Sequence, residues 1–164
     1  MFKKGEFVFC GNTGICQIEG ITTLDLDGVD NLRKYYLMHP VFSNGSSLYK
    51  PVDSAPTTIR PALVKKEAES LIKEIPSIDI IEITDEKNIE KQYKELIRSS
   101  DPKALISLIK TILMRKEARL LKGFKMTALD TRYIKLAEDY LYGELSVALD
   151  IPKLEVKDIV SEQF

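Results

Sequence analysis

The sequence predicts an α+β protein in which a small antiparallel β domain precedes an all-α domain. Two observations support this prediction. In the first sixty residues, short runs of β-branched and aromatic residues alternate with turns that contain glycine and asparagine. From about Ala62 onwards, the apolar residues recur with the period of amphipathic helices. We therefore place two domains, at residues 1–60 and 61–164.

Tight turns separate the strand candidates of the first domain. Gly11-Asn12-Thr13-Gly14 and Asn44-Gly45 favour such turns, since glycine adopts positive φ without strain. Pro51 lacks the N–H that an interior strand donates, so it indicates a strand at a sheet edge. The strand candidates are Phe7–Cys10, Ile15–Ile21, Lys34–Phe42 and Ser47–Val52, with a polar hairpin at Leu24–Asn31. Four or five such strands predict a small, strongly bent sheet or barrel.

Capping signals divide the second domain into helices that pack on one another. Ile89, Tyr93 and Ile97 share one predicted helix face, and later helices carry similar apolar stripes. The predicted boundaries are residues 62–74 closed by Ile75-Pro76, a helix capped by Thr84, one from Ser100-Asp101-Pro102 to Gly123, one opened by the capping-box motif Thr127–Asp130, and a short fraying helix after Asp150-Ile151-Pro152.

The net charge of −1 hides an uneven distribution along the chain. Residues 84–126 carry eleven basic and six acidic side chains, which gives this segment a net charge of +5. Phosphates respond to a local basic patch and not to the total charge, so the segment is compatible with a polyanionic partner. The alternative is an ordinary solvated helical surface.

Four basic residues recur at helical spacing within this segment. Lys87, Lys91, Lys94 and Arg98 fall on one face of a single predicted helix, and we call this set the basic stripe. A second basic cluster follows on the next long helix and consists of Arg115, Lys116, Arg119, Lys122 and Lys125. The spacing of the basic stripe is as compatible with contact to phosphates as it is with an ordinary solvated face.

The side chains that most often carry catalysis form no recognisable motif. His39 is the only histidine and lies beside Pro40, away from any serine or cysteine motif. Cys10 and Cys16 flank a turn, and two thiols with one histidine are too few for a structural zinc site. No phosphate-binding glycine loop or nucleophile elbow is present. We therefore predict a protein that is not an enzyme and that uses no metal, cofactor or small-molecule substrate.

Hydropathy gives no indication of a membrane location. No apolar run is long enough for a membrane span, and the N-terminal segment lacks the apolar stretch of a secretory signal. We therefore expect a cytoplasmic protein that has no membrane partner.

Several segments together resemble a known family. In the first domain they are Phe2–Val8, Gly14, Ile18–Ile21, Tyr35–Leu37 and Leu48–Asp53. In the second domain they are Asn88–Lys94, Thr127–Asp130, Ala137 and Gly143–Ala148. In order and spacing, over nearly the whole chain, these segments resemble the CarD/CdnL family of bacterial RNA polymerase-binding transcription regulators.

The resemblance implies a role for each domain. It implies a Tudor-like (SH3-like) first domain, similar to that of transcription-repair coupling factors, which binds the β subunit of RNA polymerase. The second domain of the family contacts promoter DNA at the upstream edge of the melted −10 region and stabilises the open complex. The implied polymerase-binding residues are Leu48, Tyr49, Lys50 and Pro51. The implied DNA contacts, through phosphates and without sequence readout, are Lys87, Lys91, Lys94, Arg98 and Arg132.

One position departs from the family in an informative way. The family often places a tryptophan wedge in the first basic helix, and the matching residue here is Ile89. An aliphatic side chain can also unstack a base step. Ile89 equally fits the apolar helix face that contains Tyr93 and Leu96. We expect a partly exposed Ile89 that acts as a wedge, and the core position stays open as the alternative.

Two functions from different classes follow from these observations. The first is a transcription initiation regulator that binds the polymerase β subunit and contacts promoter DNA. The second is a protein–protein adaptor on RNA polymerase that does not bind DNA directly. A third interpretation, a thiol or metal enzyme, requires Cys10, Cys16 and His39 to converge.

Overall fold

A short strand, Ile59–Pro61, lies at the boundary between two structural units. The computed structural model describes residues 1–56 and 58–164 and separates two units, Met1–Ala62 and Leu63–Phe164, which we call the β unit and the helical unit. The division falls two residues beyond the predicted one because Ile59–Pro61 forms a strand that the sequence reading missed. This strand pairs with the first strand of the chain, and Val8 lies opposite Pro61.

Five antiparallel strands form the β unit, in the spatial order β4-β3-β2-β1-β5. The strands are β1 (Phe7–Cys10), β2 (Gly14–Thr23), β3 (Lys34–Pro40), β4 (Leu48–Pro51) and β5 (Ile59–Pro61), with the short helix α1 (Ala55–Thr58) before β5. The edges of the sheet are therefore β4 and β5, and the prediction of an edge strand at Pro51 is confirmed.

The bend of the sheet starts in β2. The register between β2 and β3 shifts between Ile18 and Gly20, as at a β-bulge, which bends and twists a strand. Alternate side chains then turn inwards to one cluster, in which Phe2 meets the ring of Tyr36 edge-on at 5.6 Å. The buried members of this cluster are Val8, Cys16, Ile18, Tyr36, Met38, Ala55 and Ile59.

Five longer helices form the helical unit, and together with the β unit they confirm the predicted α+β class. They are α2 (Lys65–Glu74), α3 (Ile89–Arg98), α4 (Pro102–Leu121), α5 (Ala128–Leu149) and α6 (Lys153–Ser161). The first half of α4 packs against α5, and both contribute fully buried side chains such as Ile109 and Leu141. Within the part of the chain that the structure describes, no helix has the length and apolar character to cross a membrane.

Most of the predicted helix boundaries have the expected capping chemistry. The carboxylate of Asp101 accepts a hydrogen bond from the N–H of Lys103, and Pro102 follows in the first turn of α4. Gly123, at φ 81°, ends the same helix. The hydroxyl of Thr127 accepts a hydrogen bond from the N–H of Asp130 at the start of α5. These three predictions are confirmed.

Three predictions about the ends of helices are wrong. The cap before α3 is Asp85 and not Thr84, and it starts a 3-10 turn (Glu86–Asn88) that delays α3 until Ile89. Residues 62–64 lie outside α2, and the carboxylate of Glu67 accepts a hydrogen bond from the N–H of Val64 just before the helix begins. The last helix does not fray, because Val156 and Val160 are fully buried.

Candidate functional site

The outer side of β4 is an open strand edge. β4 pairs with β3 on one side only, so its other main-chain groups face away from the sheet. Tyr49 is 47% exposed, and Leu48, Lys50 and Pro51 are half-buried. An edge of this kind can extend the sheet of a partner through main-chain hydrogen bonds. The structure therefore places all four predicted polymerase-binding residues on one accessible edge.

Local contacts fix the position of this edge. The side chain of Leu48 packs against the core cluster of the sheet. Arg33, just before β3, donates a 3.0 Å hydrogen bond to Asp53, just after β4. This hydrogen bond lowers the pKa of the Asp53 carboxyl, so the pair stays charged at neutral pH. Packing of Leu48 thus fixes the start of β4, and the pair of Arg33 and Asp53 fixes its end.

Three members of the basic stripe lie together on α3. Lys91, Lys94 and Arg98 are exposed, and their spacing puts them on one side of the helix. Lys87 is also exposed, but it belongs to the 3-10 turn before α3, so helical spacing does not fix its direction. The structure brings Arg132 of α5 to the same region, because its guanidinium bonds to Glu90 of α3.

Ile89 is a core residue, and the prediction that it is partly exposed is wrong. Only 5% of its surface is accessible. Ile89 is followed by Tyr93 and Ile97 at intervals of four residues, and all three are buried on the face of α3 opposite the basic stripe.

A carboxylate neutralises part of the basic surface. Oε1 of Glu90 accepts hydrogen bonds from Arg132 at 2.7 Å and from the hydroxyl of Tyr133 at 3.0 Å, and it lies 3.6 Å from Nζ of Lys94. The hydrogen bond from Tyr133, reinforced by the two cations, lowers the pKa of Glu90. Among the described residues, Lys87, Lys91 and Arg98 form no ion pair.

Beneath this surface, a buried ionic network joins α3, α4 and α5. Asp130 is fully buried and accepts hydrogen bonds from the Tyr93 hydroxyl at 2.8 Å and from Nε of Arg115 at 2.9 Å. Arg115 also donates to Glu86 at 2.7 Å. Burial and the bond to Asp130 raise the pKa of Tyr93, so the phenol keeps its proton. Burial acts to lower the pKa of Arg115, but its bonds to Glu86 and Asp130 outweigh this and raise it.

The sequence reading missed this network. The motif Thr127–Asp130 directs attention to Asp130 as one half of a capping box, in which its carboxylate would turn back to the helix start. In the structure only the hydroxyl of Thr127 acts as a cap, and the carboxylate points into the core. Arg115 is therefore a structural cation and not part of a basic surface.

The other residues of the second basic cluster differ in their contacts. Nε of Arg119 donates to the carbonyl of Lys125 at 2.7 Å, and its guanidinium lies over the ring of Phe124 at 5.6 Å. Arg119 thereby folds the loop after α4 back on the helix. Lys116, Lys122 and Lys125 have exposed side chains.

The thiols and the histidine do not converge on one site. Cys10 and Cys16 are buried, and burial raises the pKa of the Cys16 thiol to about 12, which keeps it protonated and unreactive. His39 is exposed, 4.0 Å from Glu19, on the other side of the sheet from the buried Cys16. Among the described residues, no group of three histidine, cysteine or acidic side chains can hold a metal ion.

The fold and its open edge define the β unit as a small β domain of the protein-interaction type. Residues 2–63 match the family model of the CarD-like/TRCF RID domain. The β unit therefore belongs to this family of RNA polymerase-interacting domains of transcription proteins, which is not a known class of enzymes. The match confirms the resemblance of the first domain and ends at Leu63, so the resemblance of the second domain stays a prediction. No curated protein matches the chain.

Proposed function

We propose that this protein is a transcription initiation regulator, which binds the β subunit of RNA polymerase through its β unit and contacts promoter DNA near the −10 region through its helical unit. The observation that carries the proposal is the match of the β unit to the RID domain family, in one chain with a helical unit whose Lys87, Lys91 and Arg98 form no ion pair among the described residues. The expected outcome is a change in the stability of the open complex.

The polymerase contact uses the edge strand β4. Its free main-chain groups add to a partner sheet, and Tyr49 supplies the exposed aromatic surface that is common in interface hot spots. Lys50 contributes a charge at the rim. The pairing of Arg33 with Asp53 holds the edge in place before binding, which lowers the entropy that binding costs.

The DNA contact uses phosphates and reads no base sequence. Lys87, Lys91 and Arg98 are exposed cations that form no ion pair within the described part of the chain, so each can neutralise a phosphate. Lys94 and Arg132 contribute less, because both are already paired with Glu90. Attachment to polymerase gives this weak contact a high effective concentration.

The effect on promoter opening requires a preference for one DNA state. A regulator shifts the equilibrium only if it binds the open complex better than the closed one. Because Ile89 is buried, this preference comes from how the basic face meets the DNA backbone at the edge of the melted region, and not from an inserted side chain.

Salt dependence tests the DNA contact. On duplex DNA, log K falls with log salt by about 0.9 for each neutralised phosphate. Lys91→Ala should reduce this slope by about one contact and weaken all sequences alike. Lys65→Ala, which removes an exposed lysine of α2, is the matched control and should leave the slope unchanged.

The same titration separates the proposal from its alternative. An adaptor that binds polymerase but no DNA would show no binding to forked or duplex DNA even at low salt. An unchanged slope in Lys87→Ala, Lys91→Ala and Arg98→Ala would show that the basic stripe is only a solvated face.

A further inference from the structure

The second half of α4 carries apolar side chains that the helical unit leaves uncovered. The first half of this helix is packed, with buried residues from Leu105 to Ile112. Among the described residues from Leu113 to Leu121, none is buried, although four of the nine are leucine or methionine. Leu120 is 55% exposed and Leu121 is 88% exposed. Clustered apolar exposure of this kind marks interaction sites on soluble domains.

Leu113, Met114 and Leu120 line one wall of a groove. Its volume is about 680 Å³, and its apolar lining is Ile80, Leu113, Met114, Leu120 and Phe164. Leu113 and Leu120 lie seven residues apart, which corresponds to about 10 Å along a helix, or two turns. A groove with this repeat fits the apolar stripe of a partner helix.

The charges along the α4 wall of the groove and in the loop that follows it are mostly positive. Residues 113–126 contain five basic side chains and only one acidic side chain, Glu117. Lys116 is part of the lining, and Lys122 and Lys125 follow at the helix end and in the loop that Arg119 holds in place. A partner helix that covers the apolar wall would thus meet Lys116 directly, and an extension of it beyond the end of α4 would run towards Lys122 and Lys125.

We propose that this groove binds an acidic amphipathic helix of a second protein. Leucine-like side chains of that helix fill the apolar lining, and its carboxylates meet Lys116, Lys122 and Lys125. DNA phosphates would use the lysines but leave the apolar wall unexplained. A second copy of the chain is a poorer fit, because its helix α6 carries as many basic as acidic side chains and already buries Val156 and Val160 in its own unit.

Binding of a synthetic helix to the full chain tests this proposal. The probe is a labelled peptide of about five helical turns, with leucine on one face and glutamate on the others. A second peptide has the same composition with its leucines spread around the helix. We expect the amphipathic peptide to bind more tightly than the second peptide in a fluorescence anisotropy titration.

Two variants locate the binding site. Leu120→Ser should weaken binding about tenfold, since it removes a central apolar contact. Leu154→Ser, an exposed leucine of α6 outside the groove lining, is the matched control and should bind like the parent. Both side chains are exposed, so both variants should keep the parent melting temperature. Lys122→Glu should weaken binding several-fold and reduce its salt dependence.

Four results would overturn the proposal: equal binding of the two peptides, no effect of Leu120→Ser on peptide binding, self-association of the chain that Leu120→Ser abolishes, and loss of duplex DNA binding in Leu120→Ser. The third result would assign the groove to a second copy, and the fourth would assign it to nucleic acid. Because the groove shares no residue with the basic stripe, failure here leaves the proposed DNA contact of α3 untouched.

Discussion

In the β unit the described buried polar groups are neutral, whereas the helical unit also buries acidic side chains. Cys10, Cys16 and Tyr36 occupy the core of the sheet, and the Cys16 thiol is held in its protonated form. The helical unit instead buries the carboxylates of Asp130 and Glu144 completely. Each has a hydrogen-bond donor from elsewhere in its unit, such as the N–H of Leu63 for Glu144.

This difference shows how each unit is specified. The fold of a sheet with an apolar inner face depends mainly on which side chains point inwards. Many different apolar side chains are therefore tolerated at these positions. A buried ionic network requires particular partners on three helices, and the loss of one partner leaves a charge without compensation. The helical unit should therefore respond to single polar substitutions more strongly than the β unit.

The largest predicted effect comes from Asp130. Asp130→Ala leaves Arg115 without its inner partner and the Tyr93 hydroxyl without an acceptor, so we expect a loss of about 3–5 kcal/mol in the free energy of unfolding. Chemical denaturation measures this value. Asp139→Ala, an exposed acid on the same helix, is the control and should change stability by less than about 0.5 kcal/mol. A loss below about 1 kcal/mol for Asp130→Ala would contradict the role of the network.

A slightly smaller effect is expected at Ile89. Because the side chain is buried, Ile89→Ala should cost about 2–4 kcal/mol. Ile89→Trp should also destabilise the fold, since the site has no room for a larger ring. Thermal melts of both variants test this expectation. If Ile89→Trp kept the melting temperature of the parent, the site would be open to solvent, and the hypothesis that residue 89 acts as a DNA wedge would be supported.

The smallest predicted effect concerns DNA affinity at Glu90. Glu90→Gln keeps the size of the side chain but removes the charge that holds Lys94 and Arg132. Both cations then become available to phosphates, so we expect affinity for duplex DNA to rise several-fold at low salt and the salt slope to steepen.

The control for this substitution lies on the same helix. Glu95→Gln removes an exposed negative charge that pairs with no cation in the described part of the chain. It should raise affinity less than Glu90→Gln does. Equal gains from the two variants would mean that net charge, and not the release of Lys94 and Arg132, sets the affinity.

The order of the elements was predictable from the sequence because it depends on local signals. Alternation of apolar residues, the turn at Gly11–Gly14 and the edge-forming Pro51 identified four strands of the β unit. The tight turn predicted at Asn44-Gly45 is wrong, because the φ of Gly45 is not positive and residues 41–47 form a longer connection between β3 and β4. Asp101, Pro102 and Gly123 marked the ends of α4 through their capping chemistry. The strand β5 was missed because its three residues carry no periodic signal of their own.

The division of the basic residues was not predictable, because it depends on contacts between distant residues. Helical spacing groups Lys94 with Lys91 and Arg98, but it does not show that Glu90 and Arg132 pair across two helices. Similarly, Arg115 counts as a surface cation in the sequence and lies against the buried Asp130 in the structure. For Ile89, helical periodicity correctly indicated the apolar face, whereas the resemblance to the family favoured exposure and was misleading.

The central claim is that the two units have separate partners, and binding to the isolated polymerase β subunit without DNA tests it most directly. Three full-length variants are compared with the parent: Tyr49→Asp on the β4 edge, Leu32→Asp as an even more exposed apolar control in the β unit, and the double variant Lys91→Ala with Arg98→Ala. We predict that Tyr49→Asp loses about tenfold or more in affinity, while the other two bind like the parent. Loss of binding in the Lys91 and Arg98 double variant, or full binding by a folded Tyr49→Asp protein, would contradict the account.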